Sequence, residues 1–281
     1  MAMKSSDRWL ARFFHLFLTG LVLLIMFLKD TTLKQDLYNG HLFYVAFYLT
    51  LVSVGTVMYF VCSFMDPGFV TYNTIDAETG VIFNSKEEES QILTTSHDLE
   101  STETCSMLEK SARNLRLRRC GFCNIIQPLR AKHCEECKHC VRRYDHHCPW
   151  IGNCVGERNH KFFLFFLGVE TCVVSWTVYI TVHAFNRDLE WRKWFEHNWM
   201  YLILTIFLAV MLLVVALLWA CHSYMMFTAQ TTWEFMSRPR ISYLKKFPTD
   251  YNPFDKGYIR NMLSFLCYFR IQEWDDVYEE D

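Results

Sequence analysis

The chain has 281 residues, 52% of them hydrophobic, 17% aromatic and 21% charged, with a formal net charge of −2. The apolar share lies mostly outside a polar middle segment, 66–161, which excludes an ordinary soluble protein and points to membrane spans. The near-neutral charge gives no sign of a nucleic-acid partner, and 10 Gly and 6 Pro exclude a collagen-like or linker-dominated chain.

Runs free of Asp, Glu, Lys and Arg locate the predicted elements in chain order. Residues 13–28 lie between Arg12 and Lys29. Extended through Trp9 and Leu10, they predict a first span over 9–28 behind a short N-terminus, 1–12. No small-x-small cleavage site follows, so the run reads as a span and not as a removed signal peptide. The run 37–65 ends at Asp66 and predicts a second span over 42–65. A span takes about 20 apolar residues. Residues 66–117 predict a cytosolic linker; within it 71–110, rich in Ser, Thr and Glu, reads as mostly disordered. A short helix over 105–117 is the one element predicted there. The cysteine-rich segment 118–160 comes next. Residues 162–186, interrupted only by Glu170, predict a third span. The 37 residues 197–233 carry no charged side chain, and as one helix they would extend about 55 Å. They predict a fourth span over 199–227 that projects from the bilayer, followed by a C-terminal region, 228–281.

Four spans put both termini and the middle segment on one side. Of the 28 Lys and Arg, 23 lie there, and the two opposite loops carry five. The positive-inside rule therefore assigns the termini and the middle segment to the cytosol. The expected fold class is an all-α integral membrane protein. Four transmembrane helices would carry a small zinc-stabilised cytosolic domain between the second and third.

Seven of the 12 cysteines fall within residues 120–154, where an even spread would put about 1.5. They are Cys120, Cys123, Cys134, Cys137, Cys140, Cys148 and Cys154, with His133, His139, His146 and His147 among them. On the cytosolic side disulfides are disfavoured, so metal is the natural use. Zn²⁺ takes four ligands, with thiolate and imidazole preferred, and two C-x2-C pairs supply half of each of two sites. The segment is too short for its own hydrophobic core, so zinc would hold its fold. Two sites of three Cys and one His use six cysteines and leave one thiol over. The tetrapeptide Asp145-His146-His147-Cys148 sets that thiol beside an imidazole and a carboxylate. This is the set a nucleophile, its base and the base's orienter require. Adjacent residues rarely form such a set in a regular helix or strand, so a zinc-pinned loop is expected to bend them together. Spacing alone does not say which of His146 and His147 is the base.

From Cys120 to Cys154, then Val155-Gly156-Glu157-Arg158-Asn159 and Phe163, the sequence resembles the cysteine-rich domain of the DHHC protein S-acyltransferases, in its short members without ankyrin repeats. Asp66-Pro67-Gly68, Thr231-Thr232-Trp233-Glu234, and Asn252-Pro253-Phe254 with Asn261 are similar to that family's shorter motifs. The first span and linker 71–110 carry no signature. The resemblance implies one zinc on Cys120, Cys123, His133 and Cys140, and a second on Cys134, Cys137, His147 and Cys154. His146 is then the base for Cys148, Asp145 its orienter, and His139 a surface residue. It also implies two-step acyl transfer. Cys148 takes a long-chain acyl group, palmitoyl in type, from fatty acyl-CoA and passes it to cysteines of membrane-associated proteins.

Further roles are implied in the same way. Trp150, Phe163, Phe166, Glu170 and Val173 would line an acyl cavity; the last four share one helical face, where ordinary packing is the plainer reading. Arg130 and Lys132 would meet CoA phosphates. Thr231, Thr232 and Asn261 would support the site, one threonine hydroxyl bonding Asp145. Short members of the family tend to reside in Golgi or endoplasmic reticulum membranes. The competing readings are a non-catalytic membrane scaffold built on the zinc domain, and a metal transporter. The spare Cys148 beside Asp145 and His146 argues against the scaffold. The scarcity of polar groups in the spans beyond Glu170, His183 and His222 argues against the transporter.

Overall fold

A computed structural model describes residues 5–70, 118–187, 190–245 and 247–267. The linker 71–117, with the predicted helix at 105–117, lies outside the described residues. Among the described residues, four helices are long and apolar enough to cross a membrane: α1 (Ser5–Leu28, apolar from Asp7), α3 (Leu42–Phe64), α4 (His160–His183) and α5 (Trp191–Phe227). The chain is thus mostly helical and multi-pass. Its small middle domain adds what an all-α description omits: three two-stranded antiparallel hairpins. They pair β1 (Arg118–Arg119) with β2 (Ile126–Gln127), β3 (Lys132–Cys134) with β4 (His139–Val141), and β5 (His146–Cys148) with β6 (Asn153–Val155).

Two other differences from the sequence-based expectation have local causes. The loop after α1 contains a short helix, α2 (Thr32–Tyr38). Thr31 caps it by accepting from the Lys34 N–H at 3.2 Å, and Leu33 anchors it in the core. Its end needs the positive φ of Gly40, +79°, where the His41 N–H reaches back to the Asp36 carbonyl at 2.8 Å. The fourth membrane helix does have 37 residues, but its register is shifted toward the chain's start. It begins at Trp191, through Arg192, Lys193 and Glu196, and stops at Phe227. Charge does not stop a helix in water. The stop comes instead from Ala229, whose φ is +52°, and from Thr231, which caps the next helix, α6 (Thr232–Ser237). The uncharged run 197–233 is therefore not one helix, and Thr231 and Thr232 lie beyond its turn. A 3₁₀ turn (Arg238–Arg240) and α7 (Tyr258–Cys267) complete the described chain.

The core falls into two main parts. One packs Met26, Val45, Tyr48, Val52, Val174, Ile180, Leu204 and Leu208, joining the four membrane helices away from the hairpins. The other packs Tyr59 and Cys62 of α3 and Phe163, Phe166 and Leu167 of α4 against Cys148, Ile151 and Val155. The hairpin domain is thus seated on the helix ends. Asn153 Nδ2 donates to the Cys62 and Met65 carbonyls at 3.1 and 2.8 Å, and the Ser63 hydroxyl donates to the Ile151 carbonyl at 2.7 Å. Asp66 accepts from the Gly68 and Phe69 N–H groups at 2.9 and 2.8 Å, forming a turn that Arg158 clamps at 2.6 Å. Gly156 sits where a β-carbon would lie 2.6 Å from Val141 and 2.7 Å from the Pro67 carbonyl oxygen. Only glycine allows that approach.

Candidate active site and metal centres

Strand geometry sorts the ligands. Successive side chains of a strand face opposite ways, and directly opposed residues of a hairpin share a face. His133 opposes Cys140 in the β3–β4 hairpin, and His147 opposes Cys154 in β5–β6. His133 and Cys134, adjacent in one strand, therefore point into different clusters. This is how the two sets interleave along the chain. Each set is completed by a C-x2-C knuckle of the same build. The Cys123 N–H lies 3.4 Å from Cys120 Sγ, and the Cys137 N–H 3.4 Å from Cys134 Sγ. Each knuckle closes on a left-handed residue, Asn124 with φ +57° and Lys138 with φ +59°.

The donor atoms of Cys120, Cys123, His133 and Cys140 lie within 4.8 Å of one another, as do those of Cys134, Cys137, His147 and Cys154. Tetrahedral zinc with bonds of about 2.3 Å to sulfur and about 2.05 Å to nitrogen requires S–N edges of about 3.5 Å. In the second set His147 Nδ1 is 3.5, 3.5 and 3.7 Å from the sulfurs of Cys137, Cys154 and Cys134. In the first, His133 Nδ1 is 3.2 Å from Cys123 and 3.9 Å from Cys140. Both sets fit zinc in donor chemistry and in spacing. His139 belongs to neither; it is exposed, and its Nδ1 lies 2.7 Å from the Cys137 carbonyl.

The same alternation turns His146 and Cys148 to the face opposite His147. No bent loop is needed, because a three-residue strand puts the first and third side chains together. Asp145 Oδ2 lies 2.6 Å from His146 Nδ1, which leaves Nε2 free to face the thiol of Cys148 on the same side of the strand. Asp145 is buried, and burial alone would push its carboxyl up. The facing histidines His160, His146 and His222 outweigh that and hold it well below the usual carboxylate range. Burial lowers His146, but its bonds to Asp145 and Cys148 prevail and raise it to about 9. For Cys148, burial pushes the thiol up; the His146 bond and charge, with the backbone at Ile151 and Trp150, bring it below its ordinary value. Thiolate and imidazolium thus stabilise each other.

The other predicted residues divide. Phe163 and Phe166 pack beside Cys148, and the His146 ring lies 5.5 Å from the Phe163 ring. Val173 packs against the far core cluster, Glu170 lies beside Gly55 of α3, and the Trp150 side chain is 70% exposed, its carbonyl accepting from Tyr59 at 3.0 Å. Arg130, expected near CoA phosphates, is held inside the protein. It is 2% exposed, forks onto Glu234 at 2.7 and 2.6 Å, donates to the Ala229 carbonyl at 2.8 Å and stacks on Phe254. Lys132 Nζ sits 3.2 Å above the Trp233 ring. Both basic groups join the hairpin domain to the C-terminal region. Thr232 does reach Asp145, but through its backbone N–H, 2.8 Å from Oδ1. The Thr231 hydroxyl is occupied in a capping box, accepting from the Glu234 N–H at 3.2 Å while Glu234 accepts from the Thr231 N–H at 2.9 Å. Asn261 donates to the Phe227 carbonyl at 2.7 Å, fastening α7 to the end of α5. His160 and His222, which the sequence reading did not place in the site, lie 3.8 and 4.0 Å from Asp145. An ionisable residue inside a span was the available signal for His222.

Residues 113–239 match the family model described as DHHC palmitoyltransferase. The chain is 36% identical over 272 residues to palmitoyltransferase ZDHHC12 of Homo sapiens, covering 97% of this chain and 92% of that protein. It is 38% identical over 269 residues to palmitoyltransferase ZDHHC12-A of Danio rerio, covering 96% and 93%. With protein S-acyltransferase 10 of Arabidopsis thaliana the identity is 30% over 245 residues, 80% of this chain and 71% of that one. Asp145, His146 and Cys148 on a hairpin that also carries ligands of a zinc-fitted cluster, in a chain with four apolar helices, agree with these matches: the chain belongs to the DHHC palmitoyltransferase family.

Proposed function

We propose that this chain transfers a long-chain acyl group, palmitoyl in type, from fatty acyl-CoA to protein cysteines through an S-acyl-Cys148 intermediate. The observation that carries the reading is the side-by-side placement of His146 and Cys148 on one strand face, with buried Asp145 behind them. The Cys148 thiolate attacks the thioester carbonyl, the bond to the CoA sulfur breaks, and the CoA thiolate leaves with the proton of His146. Cys148 has then lost the negative charge that helped hold His146 high, so His146 is a free base. It takes the proton of an incoming protein thiol. That thiolate attacks the acyl carbonyl, Cys148 leaves as thiolate, and His146 is protonated again. One thioester replaces another, so no ATP is required. Zinc supplies the fold of the hairpins and no chemical step.

Cys148 borders the buried side chains of Phe163 and Phe166, which support an apolar path for the acyl chain into the helices. Membrane-bound substrates with cytosolic cysteines suit a thiol at that boundary. The cytosolic placement of the zinc domain and termini belongs to the same reading, supported by the 23 basic residues on that side; so does residence in Golgi or endoplasmic reticulum membranes. The test is incubation of detergent-purified chain with an alkyne-tagged fatty acyl-CoA. A hydroxylamine-sensitive label that Cys148→Ser abolishes, with both zinc ions retained, is expected. Equal labelling of Cys148→Ser would refute the intermediate.

A further inference from the structure

Behind Asp145 lies a second buried layer that the thiol chemistry above does not use. His160, at the start of α4, and His222, near the end of α5, are 1% and 4% exposed. His160 Nε2 and His222 Nδ1 are 3.1 Å apart and hydrogen-bonded. The same two nitrogens are those nearest the carboxylate: Nε2 of His160 is 3.8 Å from Oδ1, and Nδ1 of His222 is 4.0 Å from Oδ2. The His222 ring also lies 5.5 Å from the His146 ring and 5.1 Å from Phe163. Phe265 of α7 covers His160 from the other side, with ring centres 5.0 Å apart.

The proton in this pair can be placed. His160 Nδ1 is buried and has no hydrogen-bond partner among the described residues. An orphaned buried N–H is rarer than an orphaned acceptor, so the proton belongs on Nε2. That N–H lies between His222 Nδ1 and Asp145 Oδ1, and His222 Nδ1 is its acceptor. Asp145, His146 and His222 also present three ligand atoms within 4.8 Å of one another. A metal there is disfavoured by the 2.6 Å contact between Asp145 and His146, because a tetrahedral ion would hold those atoms about 3.3 Å apart.

We propose that His160 and His222 are positioning residues for acyl transfer, a neutral hydrogen-bonded pair that walls Asp145 from water and holds it in the orientation that directs His146 at Cys148. The inference rests on the proposed function. It packs both membrane helices that flank the site against the carboxylate, α4 through His160 at 3.8 Å and α5 through His222 at 4.0 Å. With the pair broken, Asp145 gains room to rotate, and the bond to His146 loses its fixed direction. Binding of acyl-CoA does not involve the pair, so the loss falls on the chemical step.

The amide of Asn stands where His Nδ1 stands, and that of Gln where Nε2 stands. A hydrogen-bonding role at position 222 therefore favours Asn, whereas a space-filling role favours the larger Gln or Leu. Single-turnover autoacylation from palmitoyl-CoA is compared for wild type, His222→Leu, His222→Gln and His222→Asn, with zinc content and thermal melting measured in parallel. His222→Leu and His222→Gln are expected to lower the acylation rate about tenfold, with half-saturation by palmitoyl-CoA unchanged and both zinc ions bound. His222→Asn is expected to recover most of that loss, as His160→Gln is relative to His160→Leu. Equal rates in all three position-222 variants, or Gln and Leu surpassing Asn, would overturn the proposal; so would loss of zinc or folding in His222→Asn. Wild-type chain that takes no acyl label at Cys148 would instead overturn the function on which the proposal rests, and the proposal with it.

Discussion

Two adjacent histidines make opposite predictions. His146→Ala removes the group whose bond and charge hold the Cys148 thiol low, and leaves burial to push it up. A thiol of ordinary pKa, about 8.5, is only about 3% thiolate at pH 7, and uncompensated burial lowers that further. Loss of thiolate thus lowers the rate by at most the ratio of the two thiolate fractions, and lost proton transfer brings the total fall to between about 10² and 10⁴. Folding should survive, since the His146 side chain faces away from both zinc sets. His147→Ala does the reverse. It removes the one nitrogen that lies 3.5 to 3.7 Å from three sulfurs, and a structural zinc contributes about 10–16 kcal/mol of folding free energy. The second zinc should be lost, and the first should weaken because β3 carries ligands of both. Metal content by mass spectrometry and the single-turnover acylation rate are the two readouts. A normal rate in His146→Ala with two zinc ions bound, or two zinc ions retained in His147→Ala, would refute the assignment.

Other expectations follow from the same geometry. Acylation should fall as pH drops through the depressed pKa of Cys148; Asp145→Asn removes the charge that holds His146 up to about 9, so its pH of half-maximal rate should lie above wild type, and an unchanged midpoint would contradict the pairing. Glu234→Ala removes the carboxylate that the buried Arg130 guanidinium forks onto and should cost about 3–5 kcal/mol of stability, seen as a lower melting temperature; a melting temperature equal to wild type would show that the pair is not structural. Thr232→Val keeps the backbone donor to Asp145 and should acylate at close to the wild-type rate, whereas Thr231→Val removes a helix cap worth about 1 kcal/mol and should lower the melting temperature. The opposite ranking would return the role to the Thr232 hydroxyl.

The membrane helices were legible because burying charge in hydrocarbon is costly, so uncharged runs mark spans. The same rule misplaced the start of α5, since aqueous helix turns tolerate Arg192 and Lys193, and the uncharged run to 233 continues past Phe227, where the helix stops before a cap. That cap was present in the sequence as Thr231 and Glu234, three residues apart, the spacing of a capping box. The zinc ligand types and the spare thiol were legible from counting and spacing. Which histidine does what was not, because it depends on whether 146–148 is extended; a period of two separates His146 from His147 at once. Arg130 and Glu234 are 104 residues apart, and nothing local to either announces a buried fork. His160 and His222 come together for the same reason, from two different helices.

In the proposed reaction Cys148 carries the acyl group between the two substrates. Purified chain loaded with isotope-labelled palmitoyl-CoA, then stripped of free acyl-CoA and mixed with a cysteine-bearing membrane-anchored peptide, tests it in one chase. Loss of label from Cys148 at the same rate and in the same amount as label appears on the peptide thiol is the expected result. Peptide acylation that requires fresh acyl-CoA, while the Cys148 adduct stays unchanged, would rule out Cys148 as the carrier.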